Sequence, residues 1–115
     1  MTREKFQHVT VQDGERTIGE ADVRPVPDQD SLHVSLSVDA GQLPPGTRTQ
    51  LVDAVLDLPE MTPGTQLRAT LPVGDGEMLD QIRNRLTDVI TRRAGASLIV
   101  EATVEDDRGA RGRRV

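Results

Sequence analysis

Leu32-His33-Val34-Ser35-Leu36-Ser37-Val38-Asp39 alternates apolar and polar side chains without a break, the period of a β-strand that buries one face and leaves the other to water. The pattern returns over Gln66 to Val73, with Leu67, Ala69, Leu71 and Val73 inward, and over Ser97 to Val104, with Leu98, Val100, Ala102 and Val104 inward. A parallel sheet covered by helices on both faces is built from near-continuous apolar strands. Clean alternation therefore means that helices cover one face only.

Between these strands lie two helical stretches. After Pro44-Pro45-Gly46, Thr47 and Gln50 match a capping box, and Leu51, Val52, Val55 and Leu58 form an apolar stripe before Pro59 stops the helix. The second helix is expected to open at Asp75 as N-cap and run to about Arg93. Its stripe is Met78, Leu79, Ile82, Leu86, Val89 and Ile90, within an arc of roughly 120°, and Gly95 ends it as a C-terminal cap. Its arginines Arg83, Arg85 and Arg92 find acids at helical spacing in Asp80 and Asp88, so they read as a mixed-charge solvent face.

Upstream, Phe6 to Val11 and Arg16 to Val23 flank Asp13-Gly14, a pair suited to the positive φ angles of a hairpin turn. The proline-bearing segment 24–30 then connects the hairpin to the rest. The expected order is a β-hairpin followed by β-α-β-α-β. Right-handed crossovers make the last three strands parallel if they neighbour one another. The fold class is α+β, a two-layer α/β sandwich of about five strands with two helices on one sheet face. We read one domain over residues 1–107, with the hairpin in 1–24 and the core in 31–104, and a disordered basic tail over 108–115. With Ala54 and Leu56 included, the apolar arc of the first helix widens to about 200°. It must touch the second helix or another subunit, and the exposure of Leu56 separates the two.

Composition excludes more than it suggests. The 115 residues hold no Cys, Trp or Tyr, one aromatic (Phe6) and one lysine (Lys5). Thiol nucleophiles, thiolate metal sites, Schiff-base lysines and aromatic stacking platforms lack their residue types. Absence of cysteine suits a reducing cytoplasm, and no apolar run approaches the roughly 20 residues of a membrane span. The net charge is −5. The tail carries Arg108, Arg111, Arg113 and Arg114 and no acid, so removing its four charges leaves −9 on the body. The body repels phosphate polyanions, and the tail alone could draw them.

Two histidines, His8 and His33, are too few for a zinc site, and no serine sits in a nucleophile elbow. Gly74-Asp75-Gly76-Glu77 joins a strand to a helix N-terminus, but its acids already occupy the positive end of the dipole and repel an anion. No catalytic, cofactor or metal residues are assigned. The polar sheet face is the candidate interaction surface, presenting His33, Ser35, Ser37, Arg68, Ile99 and Glu101, with Ile99 as its exposed apolar anchor.

These observations lead to an expected function as a small non-catalytic interaction or regulatory domain, monomeric or homodimeric, with an unidentified protein partner. One alternative is a nucleic-acid-associated accessory protein acting through the arginine tail. Another is a small-molecule binder or an enzyme using carboxylates such as Asp39, Asp75 or Glu101.

Overall fold

The computed structural model describes residues 7–26, 31–39 and 43–104. Its chain order is β1 (Gln7–Asp13), β2 (Arg16–Pro25), β3 (Ser31–Val38), α1 (Thr47–Leu56), β4 (Gln66–Pro72), α2 (Gly76–Arg85), β5 (Leu86–Ala94) and β6 (Ser97–Val104). The six strands form one sheet in the order β1-β2-β3-β4-β6-β5. Two helices lie on one side of it, as the alternation required. The first residues of the hairpin, residues 27–30 of the connector and the arginine tail lie outside the described residues.

The β1/β2 hairpin is antiparallel, with Asp13 paired to Arg16, so the turn residues are Gly14 and Glu15 rather than Asp13 and Gly14. Of these only Gly14 takes a positive φ, +67°, the request that glycine meets without strain. In the sheet, Ala21, Val23, Val34, Leu67, Ala69, Leu71, Val100 and Ala102 point to one face and are buried there. Leu51, Val52 and Val55 of α1 and Met78 and Ile82 of α2 close over them. Each large aliphatic so buried contributes about 1.5–3 kcal/mol. Leu56 is only 8 % exposed and α1 packs on α2, so within this chain the wide apolar arc of α1 already has its partner.

Helix α1 begins differently from the expected capping box. Gly46 is the N-cap, in the left-handed region at φ 85°, and no side chain caps the helix. Thr47 is already helical, and its hydroxyl donates to the Pro44 carbonyl at 2.7 Å.

The larger correction concerns residues 86–94. Helix α2 stops at Arg85 and the chain continues as strand β5, which forms a hairpin with β6 around Gly95-Ala96. Gly95 keeps the positive φ expected of it, +64°, in a hairpin turn instead of a helix cap. Asp88 is the reason the strand was disguised. It adopts φ 55° where Asp88 and Val89 together face the single residue Ala102, a β-bulge. The extra residue breaks the alternation and leaves Leu86, Val89 and Ile90 at a helix-like spacing. β-branched Thr87, Val89, Ile90 and Thr91 favour the extended form. The added strand also reverses β6, which pairs antiparallel with β4. Only β3 and β4 are parallel.

Candidate functional site

The parallel pair opens at one end. β3 and β4 pair from Ser31 with Gln66 to Ser35 with Thr70 and no further, although β3 continues to Val38 and β4 to Pro72. Beyond that point each strand follows its other neighbour. β3 stays with β2 as far as Val38 opposite Gly19, and the Asp39 N–H donates to the Ile18 carbonyl at 2.9 Å. β4 stays with β6 as far as Pro72 opposite Ser97, and the Val73 N–H donates to the Ala96 carbonyl at 3.0 Å. The two strands part at their carboxyl ends, and the backbone of β3 beyond Ser35 has no ladder partner on the β4 side. A cleft of about 450 Å³ lies at this end, bordered by Val38, Asp39, Arg48 and residues 72–77. The carboxyl ends of parallel strands are where open α/β sheets hold ligands.

Both helices aim their N-termini at this cleft, with opposite electrostatics. At α2 the end is closed: the Asp75 carboxylate accepts the Met78 N–H at 3.1 Å, and Glu77 occupies the first turn. At α1 it is open, with no side-chain cap and no acid in the first turn. A Cβ added at Gly46 would meet nothing within 4 Å. Arg48, in that first turn, spans to the other helix, its Nε donating to Asp75 Oδ2 at 2.8 Å. Asp75 is 6 % exposed in its side chain, so this pair fixes the arginine across the cleft floor while its terminal Nη atoms remain available. The positive dipole end and the Arg48 guanidinium meet at the α1 terminus; the Thr47 N–H donates to the Pro44 carbonyl at 3.2 Å, and the acids of α2 reach this turn as well, Asp75 on Arg48 and Glu77 accepting from the Thr49 hydroxyl at 3.4 Å. The sequence reading considered an anion site at the carboxyl end of β4 and weighed Asp75 and Glu77 against it; the structure shows Asp75 as the N-cap of α2 and Glu77 in its first turn. It did not consider the α1 terminus, where Gly46 precedes four residues, Thr47 to Gln50, that include an arginine and no acid.

The candidate face is assembled on the opposite side of the sheet from the helices. Register places Arg24, His33, Arg68 and Glu101 in one row across β2, β3, β4 and β6. Arg68 Nη2 bonds Glu101 Oε2 at 2.8 Å. The His33 ring contacts the Thr70 hydroxyl at 3.4 Å. Partial burial, then the charges of Arg24 and Arg68, hold the His33 pKa below its usual 6.5. Ser35 and Ser37 lie in the neighbouring rows opposite Asp22 and Glu20. Ile99 is partly buried between Thr70 and Arg92. The exposed apolar residue of this face is Ile90, 64 % accessible, which the helix assignment had hidden.

At the hairpin, His8 is held by Asp22 at 2.6 Å and Glu20 at 3.3 Å. The Asp22 hydrogen bond and both carboxylates raise its pKa. The expected helical ion pairs of α2 are replaced by a clamp between helices, Arg85 bonding Asp53 at 2.7 Å and Asp57 at 2.9 Å.

Of the carboxylates considered for catalysis, Asp39 and Asp75 border the same cleft, Glu101 lies on the helix-free face, and each is paired with an arginine. Asp39 pairs with Arg16 at 3.1 Å, Asp75 with Arg48 and Glu101 with Arg68. Among the described residues no three His, Asp or Glu side chains gather where a metal could be held, and no helix is long and apolar enough to cross a membrane. Arg108, Arg111, Arg113 and Arg114 lie outside the described residues.

No family model and no curated protein matches the sequence. Solved structures do. The fold resembles yncA, a proposed acetyltransferase from Salmonella typhimurium solved with its cofactor acetyl-CoA, at TM-score 0.58 and 10 % identity over 87 % of this chain and 64 % of that one. It resembles a proposed acetyltransferase from Sphaerobacter thermophilus at TM-score 0.56 and 10 % identity, over 90 % and 68 % of the two chains. It also resembles the ribosomal-protein-alanine N-acetyltransferase of Brucella melitensis at TM-score 0.56 and 16 % identity, over 86 % and 68 %. The chain thus spans about two-thirds of the length of these neighbours. The six-stranded sheet with both helices on one side is an α+β two-layer fold that these neighbours share. That finding overturns the reading of the chain as a non-catalytic interaction or regulatory domain, since the three neighbours that share the architecture are described as enzymes of acetyl transfer.

Proposed function

We propose that this chain binds an acyl-CoA, acetyl-CoA foremost, in the cleft at the carboxyl ends of β3 and β4, for acyl-transfer chemistry. The observation that carries the reading is the meeting, in one cleft, of a parted parallel strand pair and an uncapped helix N-terminus bearing Arg48. The neighbours of like fold, one of them solved with acetyl-CoA, support it.

The residues present fit the group. The Nη atoms of Arg48 and the α1 first-turn N–H groups beyond Thr47 would hold the pyrophosphate, on the side of Arg48 away from Asp75 and Glu77, which bond Arg48 and the Thr49 hydroxyl. The unpaired edge of β3 beyond Ser35 offers backbone donors and acceptors to the amides of the pantetheine arm, in the manner of an added strand. Val38 and Val73 line the cleft beside it with apolar surface. A cleft of about 450 Å³ encloses a drug-sized portion of a ligand, so the nucleotide stays in solvent. When bound, the thioester supplies the activated acyl group. The chain's own part is to bind the phosphates, orient the arm along β3 and bring the thioester between the parted strands.

Calorimetric titration with acetyl-CoA tests the proposal. Saturable binding is expected, weakened about tenfold or more by Arg48→Glu, since a hydrogen bond to a charged group is worth about 1.5–3 kcal/mol. Absence of binding at about 1 mM acetyl-CoA, a threshold of about −4 kcal/mol, or equal binding by the Arg48→Glu variant, overturns it.

A further inference from the structure

We propose that the free edge of β5 is an interface for a second copy of this chain, the two β5 strands pairing antiparallel about a two-fold axis at Ile90 and joining the two six-stranded sheets into one. It does not rest on the acyl-CoA reading. β5 bounds the sheet on one side and β1 on the other, and the two edges differ. β1 buries Val11, packs against α1 and turns the polar side chains of His8, Thr10 and Gln12 to water. β5 runs for nine residues with only β6 beside it, and at its centre Ile90 is 64 % exposed. An edge with unpaired backbone groups and an apolar centre is a template for another strand.

Register follows from geometry and charge. Antiparallel strands set residues of the same face directly opposite one another, so a two-fold pairing of β5 with itself must centre on a residue. Ile90 and Arg92 stand opposite Glu101 and Ile99 of β6 on the helix-free face, and the bulge residue Asp88 precedes them. Centred on Ile90, the pairing sets Ile90 against its twin, Val89 against Thr91 of the other copy, and Asp88 of each copy against Arg92 of the other. Centring on Thr91 sets each Ile90 against an arginine. Centring on Arg92 opposes two guanidinium groups, and centring on Val89 leaves both charges unanswered.

That complementarity selects a second copy as the occupant. Asp88 and Arg92 are four residues apart, about 13 Å along a strand, too far to pair with each other in one chain. Among the described residues neither has an ion-pair partner. Arg93, by contrast, already donates from Nε to the Gly95 carbonyl at 3.4 Å. A bulge and charged side chains are the devices that keep edge strands from pairing indiscriminately. Here they leave one register in which the charges meet and the exposed Ile90 is covered. Both copies use the same edge, so the assembly closes at two.

The test is sedimentation equilibrium of the full chain up to about 0.5 mM, a range that detects even weak association, together with amide hydrogen exchange. Reversible growth of the average mass toward that of two chains is expected, with exchange slowing between Asp88 and Arg92 as concentration rises. Arg92→Glu sets like charges opposite each other at both ends of the pairing and should weaken association about tenfold or more. Asp88→Asn, which keeps a residue tolerant of positive φ, should weaken it about threefold. Arg93→Glu makes the same change in net charge one position away and should leave association unchanged. A monomer throughout the range, a mass that rises past two chains, exchange that slows elsewhere and not in β5, or equal losses in Arg93→Glu and Arg92→Glu each overturn the proposal.

Discussion

Replacing Gly19 by alanine should stabilise the protein, although the position is buried in a strand under a helix. Gly19 pairs with Val11 on β1 and Val38 on β3, and it faces Leu51 of α1. A Cβ built there lies 3.5 Å from Leu51 Cδ2, 3.5 Å from Val38 Cγ1 and 3.7 Å from Val11 Cβ, ordinary van der Waals contacts that need no movement. One buried methyl group gives about 0.8 kcal/mol. The loss of glycine's freedom in the unfolded chain adds about 0.4–1 kcal/mol. The expected gain is therefore about 1–2 kcal/mol, or roughly 4 °C or more in Tm for a domain of this size. Gly19→Val tests the other limit: its two further methyl groups enter a seam already filled at 3.5 Å, and overpacking of this kind costs about 1–3 kcal/mol. Calorimetry and urea denaturation of the three proteins measure both changes. A Tm for Gly19→Ala below that of the parent would refute the reasoning, because it would mean that α1 sits closer to β2 than these contacts allow. The substitution stiffens the seat of α1, so acetyl-CoA affinity should not fall.

The bulge and the ionisable groups give further expectations. Asp88→Val places a β-branched residue at φ 55° and should cost about 1–3 kcal/mol by urea denaturation, whereas Asp88→Gly should be neutral or mildly stabilising. His8 has a raised pKa, chiefly through Asp22, so its contribution to stability is complete below pH 6.5 and fades as pH rises through the raised value. In His8→Gln that alkaline fall should be missing from the stability profile. His33 has a lowered pKa, so its neutral form favours the fold and stability falls as the unfolded state takes up a proton below pH 6.5. His33→Gln should flatten that acid limb. Arg85→Met breaks the clamp on Asp53 and Asp57. It should cost about 1 kcal/mol, with the loss shrinking in high salt, because the groups are a third or more exposed.

The fold was legible wherever one face of an element is buried and its period is unbroken. β3, β4 and β6 write their burial as alternation, and α1 and α2 write theirs as a stripe. β5 was illegible for a physical reason. It is an edge strand, largely exposed, so little alternation is selected by burial, and the Asp88 bulge shifts what remains by one residue. The β-branched run from Thr87 to Thr91 carried the correct answer through side-chain shape. Losing β5 also cost the direction of β6, because strand direction follows from counting crossings.

The candidate site shows a different limit. Residues 33, 68 and 101 could be placed on one face from alternation alone, and register then gathered them into a row. The cleft proposed for acyl-CoA has no such pattern, since it arises where β3 and β4 stop pairing because each follows another neighbour. That is a property of backbone geometry, and no side chain encodes it. What side chains do encode is the choice between the two helix ends at the cleft. Asp75 and Glu77 close α2, while Gly46 and Arg48 leave α1 open. The proposed acyl-CoA binding hinges on that difference: exchanging the character of the ends, with an acid at position 48 and neutral residues at 75 and 77, should abolish phosphate binding at α1 while the strand split remains.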